Sequence, residues 1–193
     1  KRGAEKGNRN AQTTMGMLFL KGEHVPLDIK QALYWTQKAA DQGAANAEMN
    51  LAAVYLTGRI DGKPNYAQYL KLAGVSADQG MFPATMSLAD FYRTGAPGFV
   101  INNKLAAQYY RRSALKKNPV AQFLLANMYE QGTGVPQDII QAYVYYSLSY
   151  KNGGYAPAYS AIVSLKTRMS PADLDHATRM VDALTNAEPR VSP

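Results

Sequence analysis

The chain of 193 residues contains no cysteine. Disulfide bridges and thiolate metal sites are therefore excluded, and packing alone has to hold the fold together. Histidine is almost as scarce, with only His24 and His176. They stand near opposite ends of the sequence, which removes the commonest acid–base side chain from any compact catalytic cluster. Long apolar runs are also missing. A stretch such as 51–56 falls far short of the roughly 20 residues that cross a bilayer, so no membrane span is expected. No metal-spaced cluster of ligands occurs. The turn Gly132-Thr133-Gly134 lacks the lysine that a phosphate-binding loop requires. Cofactors, metals and catalysis are accordingly not expected.

Net charge is +7. The cations read as spread along the chain, with denser groups at Lys1, Arg2, Lys6 and Arg9 and at Arg111, Arg112, Lys116 and Lys117. A basic balance without a recognition motif does not single out nucleic acid. It is compatible with an acidic protein partner.

What the chain has in abundance is repetition. Ala11, Ala47, Ala84, Ala121 and Ala158 open similar segments at intervals of 36, 37, 37 and 37 residues. A fixed period of this size predicts stacked supersecondary units, with function on an extended face. In the first unit Ala11, Met15 and Phe19 share a helical face, Gly16 lets a second helix approach, and Gly22 stops the helix. Asp28 caps a second helix whose stripe is Ile29, Ala32, Trp35, Ala39 and Ala40. Each unit is thus predicted to be an αα-hairpin that must stack to bury its apolar surfaces. Counting from Gly58 and Gly95 places Tyr69 and Ala106 where Ala32 stands, and Tyr145 occupies the place of Trp35.

The expected organisation is one continuous solenoid. Residues 1–10 are the end of a truncated preceding repeat helix, because Ala4-Glu5-Lys6-Gly7 precedes Ala11 as Ala40-Asp41-Gln42-Gly43 precedes Ala47. Repeats follow at 11–46, 47–83, 84–120 and 121–157, then a degenerate half repeat at 158–169. Ser170-Pro171-Ala172-Asp173 opens a C-terminal capping helix over 170–187, and Pro189 and Pro193 flank a tail at 188–193. The first residue is Lys1, and a targeting signal removed by processing is the expectation.

These residues resemble the Sel-one-like repeat, a relative of the tetratricopeptide repeat. The first unit matches at Ala11, Gly16, Gly22, Val25, Asp28, Ala32, Trp35, Lys38, Ala39, Ala40 and Gly43. The fourth matches at Ala121, Leu125, Tyr129, Gly132, Gly134, Val135, Asp138 and Ala142. Units two and three lack the Gly-x-Gly-Val connector, so their turns are expected to differ in shape. The resemblance covers about residues 4–168. It implies an all-α, right-handed superhelical solenoid with its first helices lining a concave groove. It also implies a protein-binding role, often in the bacterial cell envelope or periplasm.

The third, seventh and tenth residues of each first helix are the expected groove positions. The partner-binding candidates are Met17, Met49, Met86 and Phe123, with Asp90, Arg93, Asn127 and Glu130 setting specificity. A second candidate is an aromatic surface of Tyr143, Tyr146 and Tyr150. The leading expectation is a non-catalytic scaffold, exported to the periplasm, that binds another protein such as an envelope assembly component. The alternatives are an immunity protein that neutralises a secreted toxin, a carbohydrate-binding module in the envelope, and a cytoplasmic location.

Overall fold

The structure is a computed structural model that describes residues 2–186. The expected tail at 188–193, with Pro189 and Pro193, and residue 187 of the capping helix lie outside the described residues. The described residues form helices, with no strand beyond an isolated bridge between Ala96 and Phe99. The helices are α1 (Arg2–Glu5), α2 (Arg9–Lys21), α3 (Ile29–Ala40), α4 (Ala45–Leu56), α5 (Tyr66–Asp78) and α6 (Phe82–Thr94). After them come α7 (Asn103–Ala114), α8 (Pro119–Gln131), α9 (Ile139–Gly153), α10 (Ala156–Lys166) and α11 (Pro171–Asn186). Helix α2 packs on α3, α4 on α5 and α8 on α9, and second helices pack on the next first helix, α3 on α4 and α7 on α8. The chain divides into two compact units, Lys1–Leu88 and Ala89–Pro193, with the division inside α6.

Side-chain caps fix where the second helices begin. Asp28, Asn65, Asn102 and Asp138 each accept the backbone N–H three residues on, at 3.0, 3.1, 3.0 and 2.9 Å. Such caps stabilise a helix by about 1 kcal/mol each. The backbone N–H of these same residues donates to Phe19, Tyr55, Tyr92 and Tyr129 respectively, at 2.8–3.1 Å. The connectors of units two and three do differ, and the third carries the Ala96–Phe99 bridge. Both ends of every connector are nonetheless pinned alike, so the extra residue loops out without shifting the helices.

Packing follows the same register. Ala32, Tyr69, Ala106 and Ala142 are all fully buried. At Gly16 a Cβ would lie 2.2 Å from the hydroxyl oxygen of Thr36, so the glycine is required by the closeness of α2 and α3. Ala52, Ala89 and Ala126 hold the equivalent position and are fully buried too. Trp35 closes a small core with Ala4, Met15, Leu18 and Phe19. In the later hairpins the corresponding rings stack, Tyr109 on Tyr92 at 5.8 Å and Tyr145 on Tyr129 at 5.7 Å between centroids.

Helix α1 shares a feature with the end of α7. Gln12 donates to the carbonyl of Ala4 at 3.1 Å, as Gln122 does to that of Ala114. At the other end, Ser170 and Asp173 form a reciprocal cap: the Asp173 N–H donates to the Ser170 hydroxyl, which donates to the Asp173 carboxylate. Helix α11 packs on α9, and Lys151 pairs with Asp182 at 3.2 Å.

Candidate functional site

In the first unit the first helices line an open groove of about 830 Å³. Its walls are α2, the start of α4 and the segment running into α6. Met17, Met49 and Met81 supply apolar surface, and Asn10, Thr14, Asn46 and Asn50 supply polar groups. Two sequence candidates, Met17 and Met49, therefore lie in one groove. Met17 is 38% exposed and Met49 is half-buried. The Nδ2 of Asn50 is buried and has no hydrogen-bond partner, although a buried unsatisfied donor costs about 1–3 kcal/mol. Arg9 is the one formally charged residue in the lining.

Beside the groove a carboxylate is held under cover. Glu48 is 7% exposed and accepts a hydrogen bond from Gln79 at 2.9 Å. Burial pushes its carboxyl above the ordinary value, against the opposing pull of the Gln79 bond. The same position in the first hairpin is the neutral Gln12, bonded to Gln42 at 2.7 Å.

In the second unit the candidates are already engaged. Tyr110 donates its hydroxyl proton to Asp90 at 2.5 Å and accepts from the Nε of Arg93 at 3.0 Å, while Asp90 and Arg93 pair at 3.3 Å. Tyr146 repeats the device one hairpin on, reaching Asn127 at 2.5 Å and Glu130 at 2.9 Å, and Glu130 also pairs with Arg168. Burial is the main cause raising the Tyr110 phenol to about 12, and it raises that of Tyr146 too. Asp90, Arg93, Asn127 and Glu130 thus tie each first helix to its own second helix. Phe123 is half-buried, packed on Tyr146 and Tyr155 at 5.4 and 5.0 Å between centroids. Met86 is half-buried.

The aromatic surface needs correcting. Tyr143 and Tyr146 are 7% and 1% exposed, so only Tyr150, at 43%, reaches the surface. Their shared helical face is turned into the hairpin core, and the exposed aromatic pair is instead Tyr150 with Tyr159. The spread of charge also needs correcting. The second helices carry Lys30 and Lys38 on α3, Lys71 on α5, Lys104, Arg111 and Arg112 on α7 and Lys151 on α9, against Asp78 alone. Their four partners α2, α4, α6 and α8 are balanced, with three cations, Arg9, Lys21 and Arg93, and three acids, Glu48, Asp90 and Glu130, and the capping helix α11 is acidic, with Asp173, Asp175 and Asp182 against Arg179.

Sequence reasoning missed half of the groove. Its lining takes from α2 the residue just before the opening alanine and the third, fourth and seventh, Asn10, Thr13, Thr14 and Met17, and from α4 the first three of these positions, Asn46, Met49 and Asn50. The tenth position, Leu20 or Leu56, lies outside it. The available signal was the pair Asn46 and Asn50, four apart on a helix whose one charged residue is Glu48.

Among the described residues no three His, Asp or Glu side chains could hold a metal ion, and no helix is long and apolar enough to cross a membrane. Paired helices capped at a fixed period, with an open face on the first helices, define an α-solenoid repeat protein. The Sel1 repeat family model matches residues 10–43, 45–80, 83–118 and 119–154. The chain belongs to the Sel1 repeat family, whose members are generally protein–protein interaction scaffolds. It is similar in fold to c5321, a protective antigen of uropathogenic Escherichia coli strains displaying an SLR fold. That match has a TM-score of 0.76 and 23% identity, and covers 98% of this chain but 43% of that one. A Sel1 repeat protein from Oxalobacter formigenes matches with a TM-score of 0.67 and 28% identity, over 98% of this chain and 75% of its own. No curated protein matches the sequence.

Proposed function

We propose that the chain is a non-catalytic scaffold that holds a segment of a partner protein against the first helices of its first unit. The observation that carries this reading is the open groove itself, in which Met17, Met49 and Met81 stand among the exposed Asn10, Thr14 and Asn46. A peptide segment offers carbonyl oxygens for the exposed amides of Asn10 and Asn46 and side chains for the methionines, whose flexible thioethers adapt to varied apolar shapes. The remaining polar lining suits a main chain, because Asn side chains both donate and accept. Met86 is a further candidate on α6 in the same unit; in the second unit Phe123 is a separate candidate on α8, beside the braced Asn127 and Glu130, and Asp90 and Arg93 brace α6.

The test is affinity capture from native extract with mass spectrometry, comparing the wild type with Met49→Asp and with Asn46→Ala. Proteins lost from both variants, at unchanged melting temperature, support the groove. An identical captured set from all three sinks it. Export to the envelope and neutralisation of a secreted effector are narrower parts of the same proposal. Cell fractionation tests the first, and protection of a target cell from the captured partner tests the second.

A further inference from the structure

The cations of the second helices surround two recesses that occupy equivalent places in the repeat, one in each unit. In the first unit a recess of about 420 Å³ lies over Leu51 and Tyr55 of α4 and is rimmed by Lys30, Tyr34 and Lys38 of α3. In the second a recess of about 280 Å³ lies over Leu125 and Tyr129 of α8 and is rimmed by Lys104, Gln108 and Arg111 of α7. Leu51 and Leu125, Tyr55 and Tyr129, and Lys30 and Lys104 stand two repeat periods apart. The floor in each case is the seam between a second helix and the next first helix.

Each lining holds two cations and no carboxylate. Lys30, Lys38, Lys104 and Arg111 are exposed, and none makes an ion pair among the described residues. Lys38 rests 4.5 Å above the Tyr34 ring, and Arg111 donates to the Tyr129 hydroxyl. Beyond these two contacts, concentrating like charge beside an apolar floor gives the isolated chain self-repulsion. It is the complement of a ligand that is acidic and apolar at once.

We propose that each of these second-helix recesses docks an acidic segment of a partner protein. In either unit the segment places an apolar side chain in the recess and sets carboxylates on the two flanking cations. A protein fits better than a bilayer surface, because membrane-binding faces project apolar side chains into lipid whereas these sites are concave. This surface is separate from the first-helix groove, and the two readings fail independently.

The experiment is an NMR titration of the full chain with the synthetic peptide Asp-Glu-Phe-Glu-Asp, beside a version with Ala for Phe. Amide shifts should cluster on 30–38, 51–55, 104–111 and 125–129. The Ala peptide and the triple variant Lys30→Glu, Lys38→Glu, Lys104→Glu should each bind about tenfold more weakly. Met49→Asp should bind as the wild type does, and raising the salt should weaken all binding. The substituted lysines are solvent-exposed, and an unchanged melting temperature checks the fold of the variant. Equal affinity of the two peptides, or full affinity in the triple variant, overturns the proposal. So does binding to phosphatidylserine vesicles without binding to the peptide.

Discussion

Lys117 is the most economical place to test how the repeat is held. The left-handed residue in the turn after each second helix is Gly7, Gly43, Gly80, Lys117 or Gly154, at φ of 86, 71, 86, 61 and 60°. Four of the five are glycine, and the lysine adopts the same left-handed conformation. A side chain in that conformation costs roughly 1–2 kcal/mol. Glycine loses more backbone freedom on folding, by about 0.5–1 kcal/mol. Lys117→Gly should therefore stabilise the protein by about 0.5–1 kcal/mol. For a chain of this length that is a rise of about 1–4 °C in melting temperature. Urea denaturation gives the free energy, and an unchanged m-value shows that the unfolded state is not altered. The reverse substitution is a control. A Cβ at Gly43 or Gly154 meets nothing within 4 Å, so Gly43→Ala and Gly154→Ala should destabilise through conformation alone. A Lys117→Gly variant no more stable than the wild type, beside a costly Gly43→Ala, refutes the strain argument.

Gly134→Ala should be costly for a different reason. Its φ is 74°, and a Cβ there would lie 2.2 Å from the carbonyl oxygen of Asn103, so strain and overpacking together should remove on the order of 3 kcal/mol in urea denaturation. Glu48→Gln should raise the melting temperature at pH 7. The folded-state pKa of Glu48 lies above the ordinary 4.5, so its contribution to stability is full below 4.5 and falls as pH rises through the folded value. The advantage of the variant should vanish when both proteins are melted near pH 4. At the alkaline end, Tyr110 titrates at about 12 in the fold against about 10 when unfolded. The stability it confers is complete below pH 10 and is lost between about 10 and 12. A phenolate absorbance titration should show a class of tyrosines that ionises late and coincides with unfolding, and Tyr110→Phe should deplete it.

Much of this fold can be read from a single repeat. The alanine period, Asp28 and Asp138 as caps, Gly16 as a close approach and the Ser170–Asp173 cap all follow from local chemistry that the structure repeats. Asn65 and Asn102 went unrecognised as caps because the connectors before them carry an extra residue, although both lie 37 residues from the preceding cap. The hydroxyl networks of Tyr110 and Tyr146 were not legible at all. Periodicity places a tyrosine on a helix face, but the reach of its hydroxyl to Asp90 or to Glu130 depends on the distance between helices. Tyr143 and Tyr146 were assigned outward for the same reason, since the face of α9 that is buried is chosen by α8 and not by α9 itself. The charge segregation became visible only once each cation was assigned to a first or a second helix. Part of the groove was found because methionine stands out on a helix; Asn10, Asn46 and Asn50 were missed because short polar residues look like ordinary solvent-facing positions.

Whether a partner sits on the first helices is tested most directly by hydrogen exchange of the chain with and without its captured partner. Slowed exchange across 9–17 and 45–50, abolished by Met49→Asp, is the outcome expected. A bound partner that leaves those amides exchanging at the free rate contradicts the account.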